Sequence, residues 1–105
     1  MTYERIMGIQ VNNEEEYQRY REGMMPILNS FGGFFGFDFK VTEVLISKTD
    51  DQINRVFTLE FPSKEVMENF FTDPEYLAVK KRHFSNAVSS ITTISMHEKN
   101  TLKFV

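Results

Sequence analysis

Residues 3–11 alternate in character. Tyr3, Arg5, Met7, Ile9 and Val11 fall on one side, and Glu4, Ile6, Gly8 and Gln10 on the other. A period of two predicts a strand. Asn12-Asn13 ends it, and Asn13 with Glu16 three residues on has the spacing of a capping box. Glu14, Glu15 and Glu16 suit the positive end of a helix dipole. Steps of three and four then join Tyr17, Tyr20, Met24, Leu28 and Phe31 into one helical stripe. Pro26 lies within it and removes a backbone donor, so a kink is expected in the last turns. Gly32-Gly33 offers the left-handed residue that closes a helix.

Aromatic and then β-branched residues predict a second strand over 34–47. The polar run that follows turns the chain into a third strand over 55–61, and the two should pair as an antiparallel hairpin. Ser63 can cap a helix starting at Lys64. Asp73-Pro74 is a second start signal, so this helical region should bend or break near Thr72. Alternating Ile and Thr over 89–96 make a fourth strand, and 97–105 reads as a tail that is polar until Leu102 and Phe104. The order β-α-β-β-α-β is that of a ferredoxin-like α+β domain over 1–96: a four-stranded antiparallel sheet with both helices on one face. Ile6, Val56 and the doubly apolar second and fourth strands leave the other face apolar. A patch of that kind needs cover. A second copy packed face to face about a two-fold axis, with Leu102-Lys103-Phe104 reaching onto it, is the expected solution.

Composition removes several function classes. The chain has 105 residues, 12 Lys+Arg against 15 Asp+Glu, a net charge of −3 and no Cys. Disulfides, thiolate chemistry and Cys-ligated metal are excluded. The charge gives no field for holding nucleic acid. The apolar runs are too short to span a membrane, and Met1-Thr2-Tyr3-Glu4-Arg5 does not begin a secretory signal, so a cytoplasmic protein is expected. His83 and His97 lack metal-ligand spacing, and no glycine-rich phosphate loop or G-x-S-x-G occurs. Neither metal nor cofactor is expected.

The second helical region carries the candidate chemistry. At about 100° per residue, Leu77, Phe84 and Val88 should face the core, with Lys80 on the same stripe and Tyr76 and His83 at its border. Tyr76, Lys80 and His83 thus form a polar strip suited to an anionic or carbonyl-containing small molecule. Lys80 would supply charge, Tyr76 and His83 hydrogen bonds or proton transfer, and Phe70 an apolar wall. The plainer alternative is that Lys80 snorkels, Tyr76 packs and His83 is solvated. Asp38 and Glu60 are acidic residues placed within strands near that cleft or the seam of the expected dimer. They would serve as bases if burial raised their pKa, or as structural partners of Arg55 or Arg82.

Tyr17-x-x-Tyr20, Pro26, Phe31-Gly32-Gly33, Val41-x-Glu43-Val44-Leu45, Glu60-Phe61-Pro62-Ser63, Pro74-Glu75-Tyr76 and Lys80 occur in an order that resembles the domain-of-unknown-function family 1330. That family lies within the dimeric α+β barrel superfamily. The resemblance implies a ferredoxin-like protomer and a homodimer, and no defined reaction. Such proteins commonly carry small residues where this chain has Asp38-Phe39 and a basic residue where it has His83. The superfamily includes cofactor-free monooxygenases and haem-degrading enzymes. By that likeness Lys80 stands where the haem-ligating histidine would be and Phe70 where a tryptophan would be, which argues against haem. An RNA-recognition domain shares the element order, but Gly33-Phe34-Phe35-Gly36-Phe37 lies on the second strand rather than the third. The expectation is therefore a homodimer that binds a small molecule between sheet and helices, with Lys80, Tyr76, His83, Phe70 and Asp38 as ligand-binding residues. If it is an enzyme, it is a cofactor-independent isomerase or oxygenase. The alternative is a non-catalytic structural or interaction dimer whose cleft is filled by its own side chains.

Overall fold

Alternation does place the first strand. In the computed structural model, which describes residues 1–100, β1 (Thr2–Val11) lies inside the sheet, between β3 (Arg55–Phe61) and β4 (Val88–Lys99). β2 (Phe34–Lys40) completes the order β2-β3-β1-β4, and each adjacent pair is antiparallel. Register puts Met7 opposite Phe57 and Arg5 opposite Leu59, so the odd positions of both strands share one face. The helices pack on that face, and the core there includes Met7, Ile9, Leu28, Phe57, Leu59, Phe61 and Phe70.

α1 (Glu14–Ser30) starts where the cap signal lies: the Asn13 side chain accepts from the Glu16 backbone N–H at 3.0 Å. The Glu16 carboxylate does not close the box; it turns to Arg19 and His83. The apolar stripe is buried as expected, with Tyr17, Tyr20, Met24 and Leu28 inward. α1 runs through Pro26 as one helix. It ends in a Schellman turn, with the Gly33 N–H on the Leu28 carbonyl and the Gly32 N–H on the Asn29 carbonyl. Gly32 takes φ +76°, and a Cβ there would lie 3.0 Å from Pro62 Cγ. An alanine would therefore be strained at this position.

The break near Thr72 is present. α2 (Lys64–Thr72) is capped by Ser63, and α3 (Pro74–Val79) by Asp73, whose carboxylate accepts from the Tyr76 N–H. α3 then widens into a π-helical stretch, Lys80–Phe84, before one closing turn, Ser85–Ala87.

Two boundaries differ from the sequence reading. β2 stops at Lys40 and not at residue 47. Asn54 explains why: its side chain bonds both the N–H and the C=O of Val11, and its own N–H donates to Ile9. The chain before β3 is thereby tied to β1, and the β-branched run 41–47 has no strand to pair with. Propensity without a partner makes no sheet. These residues form a loop across the open sheet face, where Ile53 sits over Gly8 and Leu45 and Ile46 are exposed. β4, in turn, extends to Lys99, so residues 97–99 belong to the sheet. Leu102, Lys103 and Phe104 lie outside the described residues.

Candidate functional site

A cavity of about 260 Å³ lies between the sheet and the helices. Its floor is Arg5, Met7 and Ile9 of β1 with Phe57 and Leu59 of β3. Tyr17, Tyr20 and Met24 of α1 form one wall. Phe71, Tyr76, Lys80 and Phe84, from α2 through the π-helical stretch, form the other. Phe35 and the half-exposed Ile91 close the ends. The space is apolar with a few polar groups set into it, the usual make-up of a small-molecule site.

Those polar groups include two cations and a phenol pair. The Arg5 guanidinium stacks 4.2 Å from the Phe71 ring centroid. Burial pulls its pKa down, and the nearby phenols of Tyr76, Tyr3 and Tyr20 act the other way. Lys80 Nζ lies 5.8 Å from the Phe84 ring centroid. The Tyr20 and Tyr76 hydroxyls are 2.8 Å apart and buried. Burial pushes Tyr20 well above its ordinary pKa, helped by Tyr76; burial also raises Tyr76, against the hydrogen bond from Tyr20. Both phenols are therefore neutral at physiological pH.

Of the five residues the sequence singled out, Tyr76 and Lys80 are in the cavity wall. Phe70 is fully buried behind it, its ring 4.5 Å from that of Tyr76, and its neighbour Phe71 takes the lining position. His83 points to α1, where Nδ1 lies 2.9 Å from a Glu16 carboxylate oxygen. Asp38 does not line the cavity; it lies in a separate surface cleft, held by Arg21 at 2.8 Å and by Arg55 at 2.9 Å. Burial opposes its ionisation, but the hydrogen bonds from Arg55 and Arg21 win and hold its pKa below the ordinary value. Glu60 faces the open side of the sheet and pairs with Lys99, not with Arg55 or Arg82.

The helix phase inferred from a constant turn angle also needs correcting. Leu77, expected inward, is 45% exposed, whereas Tyr76 is 3% exposed. A π-helical turn holds more residues than an α turn, so each residue advances less than about 100°. Over Lys80–Phe84 that lag brings Phe84 into line with Tyr76 and Lys80 and moves Leu77 aside. Arg5 was the residue missed. Its signal was present, a charge on the apolar side of the β1 alternation.

Among the described residues no group of three or more His, Cys, Asp or Glu is placed to hold a metal ion, and no helix is long and apolar enough to cross a membrane.

The architecture is that of a ferredoxin-like α+β domain with a cavity between sheet and helices. Residues 5–96 match the family described as Domain of unknown function (DUF1330), and the chain belongs to that family. Solved structures agree on the fold. A protein of unknown function from Rhodopseudomonas palustris superposes with a TM-score of 0.79 at 20% identity, covering 96% of this chain and 84% of that one. A DABB family protein with a ferredoxin-like fold from Mesorhizobium loti gives 0.65 at 14% identity, over 94% and 97% of the two chains. A hydroxynitrile lyase from Passiflora edulis gives 0.67 at 14% identity, over 97% and 96%. No curated protein matches the chain. At these identities the likeness concerns the fold alone.

Proposed function

We propose that this chain forms a homodimeric α+β barrel and binds a small molecule in the cavity between its sheet and helices. The observation that carries the reading is an unfilled apolar cavity of about 260 Å³ with Lys80 in its wall. A cleft filled by its own side chains, with Lys80 bent out to water, would have favoured the non-catalytic dimer instead. At about 30 Å³ per water the space equals roughly nine waters, which suits a ligand of about ten non-hydrogen atoms. Support for the dimer comes from the open sheet face, where Phe37 and Phe39 stack at 5.7 Å and remain 59% and 55% exposed. Ile94 and the loop residues Leu45 and Ile46 extend the same apolar character. A second copy removes such a patch from water by a closed, self-complementary contact.

Turnover of the bound molecule, by a cofactor-independent isomerase or oxygenase reaction, is the second reading. The Tyr20–Tyr76 pair favours it, because two hydroxyls at 2.8 Å in the cavity wall are placed to pass a proton. Native mass spectrometry of freshly purified protein tests both parts of the binding reading. A dimer carrying a co-purified small mass is the expected result. A monomer would refute the covered face, and an empty protein that takes up none of a panel of small organic acids, amides and ketones would refute the binding site.

A further inference from the structure

Charged side chains half-withdrawn from water are ordinarily paired. Among the described residues, the arginines away from the cavity follow the rule. Arg19 pairs with Glu16, Arg21 with Asp38, and Arg55 with Asp38 and Glu14, while Arg82 is exposed to water. Arg5 is half-buried, and among the described residues no carboxylate lies within ion-pairing distance of it. Its Nε is buried with no hydrogen-bond partner. Its neighbours across the sheet are Leu59 and Met96, and one face of the guanidinium lies on Phe71. Lys80, the other cation in the wall, likewise has no carboxylate partner among the described residues, and no acidic residue lines the cavity.

We infer that the cavity takes a small carboxylate with an aromatic or otherwise apolar body, its carboxylate seated on the free fork of Arg5 and attracted also by Lys80. The inference rests on the binding reading above and names its ligand class. A protein of net charge −3 that places two cations and no acid around one apolar space has built an anion site against its overall charge. A guanidinium stacked on a ring keeps its N–H edge free for two parallel bonds to a planar carboxylate, a geometry an ammonium lacks. The remaining wall, chiefly aromatic rings and methionines, accepts the body of the molecule. The size limit of about ten non-hydrogen atoms suits one ring with a short acid arm.

The test is a titration of the full chain, followed by NMR, with benzoate, phenylacetate and 3-phenylpropanoate, each beside its neutral amide. The acids should bind at least about tenfold more tightly than the amides, the difference a charged hydrogen-bond pair provides. Arg5→Met keeps the stem on Phe71 and removes the charge. It should weaken the acids at least about tenfold, leave the amides unchanged, and melt no lower than the parent when no ligand is present. The acid–amide comparison needs no variant and stands even if the substitution fails to fold. Amides that bind as well as acids would overturn the anion site while leaving the cavity as a binding site. Silence from every probe would overturn both readings. A variant that binds acids normally, or that loses stability without a change in selectivity, would make Arg5 a structural residue.

Discussion

The Tyr20–Tyr76 hydrogen bond gives a sharp energetic test, because it joins two phenols that are 6% and 3% exposed. Tyr20→Phe removes one oxygen and leaves the Tyr76 hydroxyl buried without that partner; Tyr76→Phe does the converse. The rings stay, so the contacts of Tyr20 with Phe84 at 4.9 Å and of Tyr76 with Phe70 at 4.5 Å are kept. Each single variant should therefore lose about 1–3 kcal/mol, the cost of one orphaned buried hydroxyl. The double variant removes both polar groups at once and should lose about 1 kcal/mol or less. The cycle thus predicts strong non-additivity, with the double variant more stable than at least one of the singles. Urea unfolding followed by circular dichroism, at one fixed protein concentration, reads these differences without confusion from subunit association. A thermal scan should place the singles roughly 4–15 °C below the parent. Losses under about 0.5 kcal/mol that simply add would refute the reasoning, since they would mean that cavity water serves both hydroxyls.

Lys80→Met should weaken binding of an anionic ligand with little loss of stability, because its ammonium has no carboxylate partner among the described residues; calorimetric titration beside a melting curve checks both. Asp38→Asn should cost roughly 1–3 kcal/mol, since it leaves Arg21 and Arg55 without their shared anion. The folded carboxyl sits below its ordinary value of 3.8, so its contribution is complete above that value and fades as pH falls through the folded one. The variant should therefore show a shallower loss of stability below about pH 4, read from unfolding curves at stepped pH. Phe37→Glu, on the open sheet face, should weaken the proposed dimer in sedimentation while its circular dichroism stays unchanged; a parent and variant that sediment alike would refute an interface at this face.

Local chemistry was sufficient for most of the elements. The Asn13, Ser63 and Asp73 caps, the Gly32 turn and the stripe from Tyr17 to Leu28 each rest on residues within a few positions of one another, so their consequences travel with the chain itself. The same holds for the alternation of β1 and β3 and for the element order that specifies a ferredoxin-like sheet. Tyr76 and Lys80 were legible for that reason: an i, i+4 pair keeps one face whatever it packs against.

The tertiary structure decided what depends on distant partners. Asn54 ties the chain before β3 to Val11, 43 residues away in sequence, and so ends β2 at Lys40 despite the β-branched run beyond it. Packing also admits the π-helical stretch that sets Phe84 in line with Tyr76 and leaves Leu77 outside, a change of phase that no constant turn angle contains. Asp38 and His83 look like site residues in one dimension, yet Arg21, Arg55 and Glu16 reach them from other elements. Arg5 shows the converse. Its place on the apolar side of β1 was written in the alternation. That it would meet Phe71 and a cavity without a counter-charge depended on which side chains three separate elements brought around it, because pairing energy is set by neighbours in space and not in sequence.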